Sequence, residues 1–265
     1  MNSNTIAIGN TKVKNRIDTI SPRKLARIAG LLYLIIIVSG IFAEFFVRQS
    51  LIVPGDAGAT ASNIMNSQIL FRTGIVADLL MIIADIALAL VFYILFKPVS
   101  NALSLLAAFF RLAQAVVLGI NLLNLVFALQ LFAGTSYLSA IGPVQLQALG
   151  MAFLEVHGIG YTIGLTFFGI NLLVLGYLVL KSSYFPRILG ALLVVASLGY
   201  LIDSFAKVLL PNYAAYQEIF DMVVFAPAIV AELAFCLWLL VKGVNAPQQD
   251  ISISLHTTQA EGTAF

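Results

Sequence analysis

The stretch TGIVADLLMIIADIALALVFYILF, Thr73 to Phe96, decides the fold. It is apolar almost throughout and carries two charges, Asp78 and Asp85. As a helix rising about 1.5 Å per residue it crosses the roughly 30 Å of hydrocarbon in a bilayer. A membrane β-strand would need only about 9–11 residues and would alternate in polarity. This stretch does neither, so it reads as a membrane-spanning helix.

Five further segments read the same way: Ile28 to Val47, Leu103 to Phe132, Phe153 to Leu180, Ile188 to Leu209 and Phe220 to Val241. Composition agrees. Of the 265 residues, 61% are hydrophobic and 10% charged, and the mean hydropathy is +1.01. Soluble domains carry about 25% charged residues. So few charges cannot clothe a water-facing surface, and the partner for most of this surface is the lipid bilayer. The fold class is all-α, a polytopic six-helix bundle.

The chain divides into a polar basic tail (1–25), a six-span membrane domain (26–244) and a polar tail (245–265) expected to be disordered. The basic leader is followed by a full-length apolar run rather than the short one of a cleaved signal peptide. The first span therefore reads as a retained signal anchor. Positive charge sets the orientation. With the N-terminus inside, the cytoplasmic side holds Lys12, Lys14, Arg16, Arg23, Lys24, Arg27, Lys97, Lys181, Arg187 and Lys242. The outer side holds Arg48, Arg72 and Lys207. Both termini are expected in the cytoplasm. The first outer loop opens on a turn, Pro54-Gly55-Asp56, and Ala59 to Leu70 can form a short helix on the outer surface. Arg27-Ile28-Ala29-Gly30 and Arg187-Ile188-Leu189-Gly190 open two spans alike, each as a positive anchor followed by a small packing residue.

Ala26-Arg27-Ile28-Ala29-Gly30-Leu31-Leu32-Tyr33, Val53-Pro54-Gly55-Asp56, Phe71-Arg72-Thr73-Gly74-Ile75-Val76-Ala77-Asp78, Pro186-Arg187-Ile188-Leu189-Gly190 and Gly199-Tyr200-Leu201-Ile202-Asp203 carry a resemblance. Together they resemble the bacterial integral membrane family called domain of unknown function 4386. That resemblance implies a multi-pass protein of the bacterial cytoplasmic (inner) membrane. It implies no activity and no site, so function has to come from the residues.

A charge at mid-bilayer costs about 2.5–3.5 kcal/mol on insertion scales, which singles out Asp78, Asp85, Arg111 and Glu232. Asp78 and Asp85 lie two turns apart on one helical face. Arg111, Gln114 and Asn121 form a narrow stripe on the third span, which should face the bundle rather than lipid. Arg111 is expected to pair with Asp85, with Glu232 as the second candidate. Such a network can fix helix register, or it can line a polar cavity for a solute or proton; the residues alone leave both open. Glu44, Glu155, His157, Asp203 and Lys207 gather toward the outer side, either as interfacial charges reaching headgroups and loops or as an acidic vestibule open to that side.

Catalysis is the weaker class. There is no His-Glu-x-x-His run, no Gly-x-Ser-x-Gly elbow and no phosphate-cradling loop. His157 is the one histidine in the spans, and Cys236 is the one cysteine. No metal, cofactor or nucleic acid is expected. Two classes remain: small-solute or proton-coupled transport or sensing through the polar seam, and a non-catalytic scaffold, homo-oligomer or partner subunit.

Overall fold

The computed structural model describes residues 21–244, so both polar tails, apart from residues 21–25, lie outside the described residues. Among the described residues there is no strand. Six helices are long and apolar enough to cross a membrane. In chain order these are α1 (Pro22–Leu51), α3 (Gln68–Phe96), α4 (Asn101–Ala133), α5 (Pro143–Lys181), α6 (Arg187–Leu209) and α7 (Gln217–Val241). The short α2 (Ala57–Asn66) sits between the first two spans.

Local chemistry sets the ends. Pro22 opens α1, and Ser21 Oγ accepts from the Lys24 amide at 3.4 Å. Asp56 Oδ1 accepts from the Ala59 amide at 2.8 Å and starts α2, while Ser100 Oγ caps α4 through the Leu103 amide. Each side-chain oxygen satisfies a backbone donor that has no partner within its own helix. Gly134 ends α4 in the left-handed region, φ 58°, where a residue with a Cβ would be strained.

The short outer helix expected in the first loop is α2, and it stops at Asn66, because α3 already begins at Gln68. A stretch that reads from sequence as a loop is also helical: α5 begins at Pro143, some ten residues before its apolar run. Hydropathy locates the part of a helix that sits in lipid, not the whole helix. Gln145, Gln147 and Gly150 lower the hydropathy without breaking the helix. At 39 residues, α5 is roughly 58 Å long, longer than the hydrocarbon of a bilayer is thick, and α2 packs on it.

The six spans form a closed ring. Each packs on its neighbour in sequence, α1 on α3 through to α6 on α7, and α7 closes back on α1. Apolar burial does not drive helices together in lipid, so close approach and dispersion must. Small residues provide the approach. A Cβ on Gly190 would lie 2.8 Å from the Gly176 carbonyl oxygen across the α5–α6 seam. A Cβ on Gly74 would lie 2.8 Å from Val47 across the α1–α3 seam.

Buried apolar side chains fall into three clusters. A large one, away from α2, includes Tyr33, Phe92, Leu172, Phe235 and Leu239. A thin middle one is Met81, Ile82, Ala115 and Leu118. One at the α2 end includes Val47, Ile64, Phe71, Leu125 and Leu154. Cys236 lies fully buried at the α1–α7 seam, its Sγ 3.4 Å from the Gly30 carbonyl. Maleimide labelling of the intact protein is therefore expected to leave Cys236 unmodified until the bundle is denatured. Rapid labelling in the native state would show that this seam opens.

Candidate functional site

Arg111, on α4, is the largest fully buried side chain. Its guanidinium meets Asp85 of α3, with Nη2 to Oδ1 at 2.6 Å. Nη1 donates to Asn171 Oδ1 of α5 at 3.3 Å, and Asn171 Nδ2 donates to the Ala107 carbonyl at 2.7 Å. Gln114, one turn on from Arg111, donates to Asp85 Oδ2 at 3.2 Å. Arg111 Nε and Gln114 Oε1 are buried without a hydrogen-bond partner among the described residues.

Aromatic rings close the rest of the shell. The guanidinium carbon lies 5.5, 5.9 and 5.6 Å from the ring centroids of Tyr33, Phe92 and Phe168. At these separations the negative ring faces attract a cation, more strongly where water is excluded. Tyr33 has a second role: its hydroxyl donates to Glu232 Oε2 of α7 at 3.1 Å. Tyr200 of α6 donates to Glu232 Oε1 at 2.8 Å. One guanidinium thus serves a layer with two carboxylates. Asp85 takes it directly, while Glu232 is held by two neutral hydroxyls. Glu232, the second candidate partner for Arg111, reaches it only through the Tyr33 ring.

A second charged layer lies toward the end of the bundle that carries α2. Between Phe42 and Arg48, α1 winds as a π-helix, and the Gln49 amide donates to the Glu44 carbonyl, five residues back. The wider turn brings residue 48 over residue 43, so Ala43, Val47 and Arg48 are all buried. Arg48, counted from sequence as an outer-surface charge, is 6% exposed. It reaches Asp78 of α3, Nη1 to Oδ2 at 2.5 Å, and Glu44 through Nε at 2.7 Å. Asp78 therefore belongs to this layer, not with Asp85. Met81, Ile82 and Leu118 separate the two layers.

Polar side chains of α4 and α5 continue this second layer. Asn121 Nδ2 donates to the His157 carbonyl at 2.9 Å, and Asn124 donates to Asn121 at 2.9 Å. Gly160 sits directly beneath Asn121, leaving no room for a Cβ. Asp78, Asn121, His157 and Tyr161 border a crevice of about 170 Å³ in which no water-sized sphere fits. The buried His157 ring lies 6.1 Å from that of Tyr161.

The residues expected to share one outer vestibule take up different contacts. Glu44 joins Arg48 and Asp78. His157 borders the crevice. Glu155 lines a separate cavity of about 210 Å³ with Ile52, Pro54 and Met151. Asp203 and Lys207 pair at 2.8 Å at the C-terminal end of α6, where the Tyr213 hydroxyl donates to Asp203 at 2.6 Å. Similar depth on different helices of a ring does not bring side chains together, because each helix points its charge in its own direction. No group of three or more His, Cys, Asp or Glu among the described residues is arranged to hold a metal ion.

Sequence reasoning missed Arg48, Tyr33, Tyr200 and Asn171 as members of these layers. The tyrosines and Asn171 carry a weak signal, since each places a polar atom in a span where it needs a partner.

A family described as domain of unknown function (DUF4386) matches residues 28–243. An uncharacterized protein of the archaeon Archaeoglobus fulgidus is 33% identical over 169 residues, covering 64% of this chain and 83% of that protein. No solved structure matches the chain.

Proposed function

This chain belongs to the DUF4386 family, and we propose that it is a proton-coupled membrane protein that moves or senses a small solute through its Asp85–Arg111–Glu232 seam. One observation carries the reading: a single buried guanidinium faces two carboxylates, and the second, Glu232, has tyrosine hydroxyls as its partners rather than a cation. An uncompensated carboxylate in a low-dielectric interior is costly. A proton taken up on Glu232 removes that charge, and its release restores it. Tyr33, with Arg111 at its ring face and Glu232 at its hydroxyl, links the two states to the ion pair. Because Glu232 lies beyond Pro227 on α7, a change at the carboxylate can be felt at an irregular point of that helix.

The reading places both termini in the cytoplasm, with the basic ends of the spans on the inner face and the π-helical segment toward the outside. It also puts the protein in the cytoplasmic membrane of its cell.

The test is infrared titration of the purified protein in lipid. A carboxylic-acid carbonyl band that appears and disappears as the pH is changed, and is absent from Glu232→Gln, is the expected result. Identical spectra for wild type and variant would remove Glu232 from the mechanism.

A second reading, a non-catalytic scaffold or partner subunit, is favoured by the close packing of the crevice beside Asp78. Single cysteines beside Asp85 and Glu232, in a Cys236→Ala background, separate the two. Labelling by a water-soluble reagent supports a hydrated seam, and uniform protection supports the scaffold.

A further inference from the structure

One end of the bundle is basic without relief. Arg23, Lys24 and Arg27 of α1, Lys97 after α3, Lys181 at the end of α5, Arg187 at the start of α6 and Lys242 after α7 are all exposed there. They belong to one end, because Gly243 packs beside Arg23, and Phe185 of the α5–α6 turn touches both Phe96 and Phe235. Every acidic residue among those described lies at mid-depth or toward the other end.

These seven cations do not share one explanation. Lys97, Lys181 and Lys242 stand at helix C-termini, where the negative end of the helix dipole favours a cation. Lys97 and Lys181 also rest on the rings of Tyr93 and Tyr177. Arg23 and Lys24 lie in the first turn of α1, and Arg187 is the first residue of α6. There the dipole is positive and disfavours them. No acidic side chain occupies the first turn of α1, α4 or α6, the three helices that begin at this end. Positive side chains and positive helix ends coincide, with no acidic side chain in those first turns to offset them.

We propose that this basic collar is an interaction surface for anionic phospholipid headgroups, with Arg23, Lys24 and Arg187 as its discriminating contacts. A headgroup phosphate at the membrane surface supplies negative charge at the depth where these side chains emerge. Basic residues near an anionic leaflet gain affinity additively, and a phosphate also complements the free amides of a helix N-terminus. The lipid is thus part of what holds the inner ends of α1 and α6 in place.

The test uses the full-length protein, purified in detergent and stripped of lipid, with thermal unfolding followed as lipid is added. Phosphatidylglycerol is expected to raise Tm and phosphatidylcholine to leave it unchanged. In the triple variant R23Q/K24Q/R187Q the apparent affinity for phosphatidylglycerol is expected to fall on the order of a hundredfold. The control variant K97Q/K181Q/K242Q removes lysines that sit at the negative ends of their helices, where part of their charge is already offset, and is expected to lose clearly less. Equal response to the two lipids, an equal shift from inorganic phosphate alone, or equal loss in both variants would overturn the proposal. So would a phosphatidylglycerol effect on the wild type that persists unchanged in high salt, a measurement that needs no variant to fold.

Discussion

Arg111→Met is expected to lose most of its folded protein, and adding Asp85→Leu is expected to return it. The single change strands the Asp85 carboxylate, fully buried, with Gln114 as its one remaining hydrogen-bond donor. Removing one partner of a buried ion pair costs about 3–5 kcal/mol, a large share of the roughly 5–15 kcal/mol that holds a typical fold together. The double variant takes away both charges and leaves side chains of similar bulk among Tyr33, Phe92 and Phe168. Replacing a buried pair with apolar groups is often neutral or stabilising. Thermal unfolding in detergent, with the yield of monodisperse protein as a second readout, measures both variants. A single variant as stable as wild type would mean that the pair contributes nothing to the fold. A stable double variant also isolates function. If its Glu232 infrared band still titrates as in wild type, the proton site does not need the Arg111 charge.

The second large effect is steric. Gly190→Leu is expected to prevent α5 and α6 from meeting. A Cβ at 190 would lie 2.8 Å from the Gly176 carbonyl oxygen and 2.8 Å from the Leu180 backbone nitrogen. Neither atom can swing aside as a side-chain tip does, so the helices must separate. Overpacking a core costs about 1–3 kcal/mol where side chains can adjust, and here the backbone takes the load. The damage should reach the seam, because α6 also carries Tyr200, which donates to Glu232. The control is Gly119→Ala. Nothing lies within 4 Å of a Cβ at 119, and alanine is the better helix former by about 1 kcal/mol, so its Tm should hold or rise. A wild-type Tm for Gly190→Leu would show that the seam tolerates a wider spacing than the one seen.

Depth is legible in the chain and direction is not. Asp85 and Arg111 fall at compatible depths, and the stripe of Arg111, Gln114 and Asn121 faces inward as its spacing requires. Their meeting follows from depth and helical periodicity together. Asp78 shows where that reasoning ends. Its seven-residue offset from Asp85 puts both on one face, yet it bonds Arg48, which hydropathy assigns to the outer surface. The π-helical segment Phe42–Arg48 makes the difference, and nothing in its composition announces a wider turn. Glu155 and His157 are two residues apart, and one lines a surface cavity while the other is buried. Asp203 and Lys207 are legible as a pair because they sit on one helix, where a four-residue spacing fixes the geometry.

By itself the sequence determined the solvent, the helical class, the six crossings and the few side chains that cannot be left alone in hydrocarbon. The reason is energetic and one-dimensional: the cost of burying a residue in lipid depends on its own chemistry and on its depth, both written along the chain. The tertiary structure alone decided which charges meet, that Tyr33 and Tyr200 hold Glu232, and that α7 closes the ring on α1. Those outcomes depend on how each helix is rotated against its neighbours, and that rotation is set by close contacts between residues far apart in the chain.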